Sequence, residues 1–207
     1  MRTFLLDDDG KAAYPLKQGA QGAGGLAFRS FAALGDTPLF LSADGVMGVF
    51  GTAVTEQRSI RRQSGAVDPR LTEEENLQDA CAAVWRDKYF LAVNGRCYVA
   101  DGRAYRADGS PEWYYWDNFS ATCFAVLDGR LWFGAADGRV LRLCERDEAD
   151  AFFDDGAAID AWWCTPDLPL GGWGREKLVR EVAPVLMPYT RSGVKVTYET
   201  DAGEVLA

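Results

Sequence analysis

Histidine does not occur in this chain of 207 residues. That absence removes Ser-His-Asp and Cys-His catalysis, histidine-ligated metals and the usual proton shuttle near neutral pH. Cysteine is scarce: Cys81, Cys97, Cys123, Cys144 and Cys164 stand apart, with no CxxC spacing. An odd, scattered set excludes a disulfide framework and reads as reduced thiols filling small core gaps. Zinc needs clustered ligands, and there are none in the text. Long apolar runs are missing too, and nothing approaches the roughly 18 to 20 residues that span a bilayer. The opening "MRTFLLDDDGK" has a short apolar run ending in three aspartates, which is no signal peptide. Cytosolic synthesis without a membrane partner is the expectation.

Basic residues are the minority, 22 against 31 acidic, for a net charge of −9. Phosphate backbones are bound by local surpluses of Lys and Arg. The single basic cluster, Arg58, Arg61 and Arg62 in "RSIRRQ", is spaced as the exposed face of a strand. No nucleic-acid partner is expected.

What the sequence does have is a repeated hairpin. "LFLSADGVMGV" from Leu39, "YFLAVNGRCYV" from Tyr89 and "LWFGAADGRVLRL" from Leu131 each join two apolar strands through a tight turn. Asp44-Gly45, Asn94-Gly95 and Asp137-Gly138 are turn pairs that accept positive φ. An earlier strand precedes each hairpin across Gly35-Asp36, Arg86-Asp87 or Asp128-Gly129, and a fourth is available in "TAVTEQRSI", "EWYYWDN" and "AIDAWWC". The turn glycines lie 95 − 45 = 50 and 138 − 95 = 43 residues apart. Periods of about 40 to 50 with several strands each mark propeller blades. The predicted fold is all-β: three antiparallel meander units resembling propeller blades (near 26–62, 77–118 and 121–164), followed by a C-terminal strand pair.

The boundary falls between 1–156 and 157–207. A non-repeating sandwich or an open meander would use the same turns. Closed propellers have about four to eight blades, so three units imply a partial propeller, or edges covered by another element or another copy. "LTEEENLQDA", with Glu75 three residues after Thr72, and "ERDEADAFFDD" read as short helical connections. "KLVREVAPVLM" and "GVKVTYET" alternate as strands, and the text ends just past a turn at Asp201-Ala202-Gly203, as a truncated or incomplete domain would.

"WWCTPDLPLGG", "REKLVREVAPVLMP" and "SGVKVTYETDAGE", following "LSADGVMGVFGT" and "LWFGAADGRVLRL", resemble a pattern in phage and prophage structural proteins of Gram-positive bacteria. The resemblance runs from about Leu39 onward, and its motifs are largely hairpin grammar. It implies a propeller-like component of a phage particle or tail, made in a bacterial cytoplasm and virion-associated once assembled. Its partners would be other structural subunits or further copies of itself. No catalytic residue comes with it.

Reactive groups are few. The runs Asp7–Asp9, Asp147–Asp150 and Asp154-Asp155 place neighbouring carboxylates on opposite sides of a strand, which suits solvated turns rather than a catalytic pair. "QGAQGAGG", Gln18 to Gly25, lacks the Gly-Lys-Ser/Thr ending of a phosphate loop and reads as a linker. No catalytic residue, metal ligand or cofactor is expected. The aromatic set is richer. Trp113, Tyr115, Trp116 and Trp162 are the candidate interface residues, alternation putting Trp113 and Tyr115 on one face of "WYYW" and Tyr114 and Trp116 on the other. Stacked rings also bind sugars, so a carbohydrate-binding or glycosidase-like fragment is the alternative to a non-enzymatic assembly protein.

Overall fold

The computed structural model describes residues 5–6, 12–13, 23–51, 58–178, 180, 181, 183, 185, 193–200 and 203–206. The chain is all-β and falls into two units, Met1–Gly156 and Ala157–Ala207.

In the first unit, β1 (Leu5–Leu6) pairs with β2 (Ala12–Ala13). The first sheet is an antiparallel meander of β3 (Ala32–Leu34), β4 (Thr37–Ser42), β5 (Gly45–Gly51) and β6 (Arg58–Arg62). One helical turn, α1 (Asp68–Leu71), leads to the second sheet of β7 (Cys81–Trp85), β8 (Lys88–Val93), β9 (Arg96–Tyr105) and β10 (Pro111–Trp116). The third sheet has three strands: β11 (Ala121–Leu127), β12 (Arg130–Ala135) and β13 (Val140–Arg142). A short β14 (Phe153–Asp154) follows. In the second unit, β15 is Ala157–Ala158, and β16 (Thr197–Thr200) pairs antiparallel with β17 (Gly203–Leu206).

The second sheet is the middle layer, and the sequence of its strands says why. Side chains alternate across a strand, yet β8 reads "YFLAV", apolar at both parities. Tyr89, Leu91 and Val93 pack with Leu34, Leu39, Leu41 and Val46 of the first sheet. Phe90 and Ala92, with Cys97 and Val99 of β9, pack with Leu131 and Phe133 of the third. Strands covered on both sides are continuously apolar for this reason. One polar anchor ties the layers: the Tyr89 hydroxyl, fully buried, donates to the Ser30 carbonyl at 2.7 Å.

The turns follow the chemistry of their residues unevenly. Asn94 and Gly95 both take positive φ (50° and 72°), as a two-residue hairpin asks. At the other two landmark turns only the glycines do, Gly45 at 114° and Gly138 at 89°. Arg86 and Asp87 adopt the same doubly positive conformation (49° and 58°) with no glycine at all.

Four expectations are corrected. Ile159–Cys164 forms no strand, so the third sheet lacks the fourth strand expected from "AIDAWWC". β13 spans three residues, and beyond it Glu148 accepts from Arg142 at 2.6 Å. "ERDEADAFFDD" is a series of turns with i to i+3 bonds, Glu148 to Glu145 and Ala151 to Glu148 among them, and not a helix. "LTEEENLQDA" holds only a 3-10 turn, Leu77–Asp79; Thr72 ends α1 instead of starting a helix, and Asn76 at φ 54° breaks the run. The described residues of "KLVREVAPVLM" lie in no strand, and the strand in "GVKVTYET" covers Thr197–Thr200. Asp7–Asp9, residues 18–22 and Asp201-Ala202 lie outside the described residues.

Two backbone predictions follow from the turns. A Cβ at Gly45 would collide with the Asp68 carboxylate and lie 2.6 Å from Ser64 Oγ, at a φ that side chains avoid. Gly45→Ala is expected to cost about 2–4 kcal/mol, more than the roughly 1 kcal/mol of Gly95→Ala, where the space is open. Asp87→Gly should gain about 0.5–1 kcal/mol by relieving the left-handed backbone. Urea midpoints of the three variants against the parent chain check both signs.

Candidate interaction surface

The ring-rich strand β10 lies on the edge of the middle sheet, paired to β9 with Trp113 opposite Ala100 and Trp116 opposite Cys97. Trp113 meets Tyr89 edge-on at 6.4 Å, and its Nε1 donates to the Gln63 carbonyl at 2.8 Å. Tyr115 lies edge-on to Tyr98 at 5.4 Å, with the Arg70 guanidinium 4.2 Å over its ring. Both belong to the layer shared with the first sheet. Trp116 points the other way, 5.7 Å from Phe90 and 5.8 Å from Phe119, in the layer shared with the third. The rings thus divide across the strand as alternation requires, and Trp113, Tyr115 and Trp116 are partly buried between sheets. Tyr114 is the one ring of the four classed as exposed, with Lys88 5.4 Å above it. Trp162 stands apart in the second unit: it and Trp163 are each 83% exposed, and Trp173 is 72% exposed.

The carboxylates organise turns. Glu148 is gripped by both arms of Arg142 at 2.6 Å and reached by Arg130 at 3.4 Å. Arg139 spans Asp137 and Asp155, each at 2.7 Å, and Asp154 accepts from Asn118 at 3.0 Å. Of the basic cluster, Arg61 lies over Phe50 at 5.4 Å and Arg62 pairs with Asp68 at 3.4 Å. Among the described residues no three His, Cys, Asp or Glu side chains gather as metal ligands, and no helix is long and apolar enough to cross a membrane.

Of the three buried acids among the described residues, Asp68, Glu74 and Asp101, the last two are gripped by several donors each. Glu74 accepts from Arg96 at 2.7 Å, Tyr98 at 2.8 Å and Asn94 at 3.3 Å. Burial pushes its carboxyl up, but those hydrogen bonds and the Arg96 charge outweigh it, so the acid sits below its ordinary range. Asp101 is held well below its ordinary range by hydrogen bonds from Arg103, against burial and with help from Lys88. Burial drives the Cys81 thiol up to about 11 and raises Cys97 as well, whereas Cys123 and Cys164 are exposed.

The surface that pattern reasoning passed over is the far face of the third sheet. Its inner face, with Leu131, Phe133 and Leu141, covers the middle sheet. Register puts Cys123 opposite Gly134 and Val140, Ala125 opposite Trp132 and Arg142, and Leu127 opposite Arg130, all on the outer side. Leu127 is 60% and Val140 70% exposed, and Cys123 and Ala125 are exposed too. The signal was in the text: "CFAVL" in β11 is apolar at both parities, as "YFLAV" is in β8. The middle sheet is covered by apolar neighbours on both faces, whereas among the described residues of the first unit the outer face of the third meets the Glu148 turn, held by Arg130 and Arg142.

Depressed carboxyls contribute stability that is complete above their unfolded pKa of about 4 and is lost as pH falls through the lower folded value. Urea midpoints should therefore be level from about pH 5 to 8, where no histidine titrates, and fall below about pH 4. Asp101→Asn and Glu74→Gln should each shallow that acid decline and cost about 1–3 kcal/mol at neutral pH. A thiol reagent should modify Cys123 and Cys164 in the native chain within minutes and reach Cys81 and Cys97 only on unfolding.

The sequence matches no protein-family model, and no curated protein matches it significantly.

Proposed function

We propose that the chain is a non-enzymatic structural and assembly subunit that works by covering apolar surface against neighbouring subunits, as components of phage particles do. The observation that carries this reading is the large aromatic surface left in water: Trp162, Trp163 and Trp173 of the second unit. Exposed tryptophans are the anchors from which protein interfaces draw most of their energy. The state of the acids supports it: Glu74, Asp101 and Glu148 are engaged in ion pairs that hold neighbouring strands and turns together. The phage setting rests on the resemblance of the hairpin series to phage structural proteins.

The test is co-expression of the tagged chain with the products of its neighbouring genes. A stoichiometric complex with one of them is expected, and titration calorimetry should show at least a tenfold loss of affinity in Trp162→Ala/Trp163→Ala. A chain that purifies without any of these products, or a complex indifferent to the double substitution, overturns the reading.

A further inference from the structure

We propose that the pocket between the Asp44-Gly45 turn and α1 binds a neutral, hydroxyl-rich ligand, a saccharide residue being the class that fits. The site lies in the first unit and stands independently of the assembly reading. Of the three buried acids, Glu74 and Asp101 have each gathered several donors, and Asp68 has not. Asp68 is 7% exposed. Its Oδ1 accepts from the Ser64 hydroxyl, while its Oδ2 is buried and receives no hydrogen bond. Arg62 Nη1 stands 3.4 Å from that oxygen, long for a hydrogen bond. A buried acceptor left open is uncommon in a folded chain and asks for a donor.

The surrounding chain holds the acid in this state. Gly45 has no Cβ, and one would collide with Asp68 Oδ1. Ser64 Oγ is fixed in turn by accepting from the Val46 backbone N–H at 2.7 Å. The Thr72 hydroxyl is spent on the Asp68 carbonyl, also at 2.7 Å. With Oδ1 tied back, Oδ2 is the atom left beside Arg62. Both residues line an open pocket of about 450 Å³, together with Ala43, Asp44, Pro69 and Thr72. Small-molecule sites occupy roughly 300–1,000 Å³.

Charge selects the class of ligand. A cation would compete with the guanidinium already beside Oδ2, and among the described residues no set of three His, Cys, Asp or Glu side chains completes a metal site. An anion drawn to Arg62 would meet Asp44 and Asp68 as well. A hydroxyl carries one donor and two acceptor lone pairs. It gives its proton to Asp68 Oδ2 and accepts from Arg62 across the 3.4 Å between them, which no group of a single sign can do. Neighbouring hydroxyls of the same ring reach Asp44, and Ala43 and Pro69 offer apolar contact to its C–H groups. The Arg62 side chain, 54% exposed, can turn aside to admit the ligand.

Chemical-shift titration of the full chain with the methyl glycosides of glucose, galactose, mannose and N-acetylglucosamine, each to about 100 mM, tests this. At least one should move the amide signals of Gly45, Ser64, Gly65 and Asp68 saturably. The expected Kd is about 1–10 mM, the strength open to so small a ligand. Arg62→Gln and Asp68→Asn should each weaken binding at least fivefold. Arg62 lies at the surface, so its variant decides the matter where a thermal melt shows Asp68→Asn to be unfolded. Unchanged affinity in Arg62→Gln, shifts confined to other residues, or no saturable shift with any of the four sugars overturns the proposal. So does tighter binding of calcium, putrescine or inorganic phosphate at the same amides, which would make charge the attraction.

Discussion

Everything in the first unit depends on the middle sheet being buried on both faces. A strand that must satisfy two apolar environments cannot spare alternate positions for water, so Tyr89 through Val93 and Cys97 through Ala100 are all buried. Each such side chain removed from water contributes on the order of 1.5–3 kcal/mol, and both outer sheets pack apolar residues against it. The polar groups that enter this interior arrive with partners, the Tyr89 hydroxyl on the Ser30 carbonyl and the Tyr98 hydroxyl on Glu74. Buried hydrogen-bonding groups are tolerated on that condition.

The same constraint explains how the acids are used. Glu74 is carried inward on the connection between the first two sheets and clamps β9 through Arg96 and Tyr98. Asp101, at the far end of β9's buried run, joins Lys88 of the adjacent strand to Arg103 of its own. Both are structural rivets, set where a layered fold would otherwise leave strand ends loose.

Strand order and sheet class were legible because tight turns and apolar runs are local signals. Asn94-Gly95 placed one hairpin to the residue, and "EWYYWDN" named β10 nearly to its ends. What escaped the sequence was tertiary. The Arg86-Asp87 turn carries no glycine to announce its left-handed backbone, and no turn pair in "LRLCERDE" announces that β13 stops after three residues. "AIDAWWC" has the composition of a strand, and no paired edge lies along it. The aromatic strand drew attention by its rings, while the exposed face at Leu127 and Val140 was hidden in ordinary aliphatic letters. Parity would have revealed it: β8 and β11 are written alike, and only the surroundings of the two strands differ.

The layering also sets an order of events during synthesis. Leu39, Leu41 and Val46 leave the ribosome well before Tyr89, Leu91 and Tyr98, the residues that cover them. At about 5–20 residues per second the first sheet waits several seconds with its apolar side uncovered. Its edge strand β6 carries Arg61 and Arg62, cationic side chains of the kind that discourage a bare strand from recruiting another. Charge on that edge suits the interval before the second layer arrives.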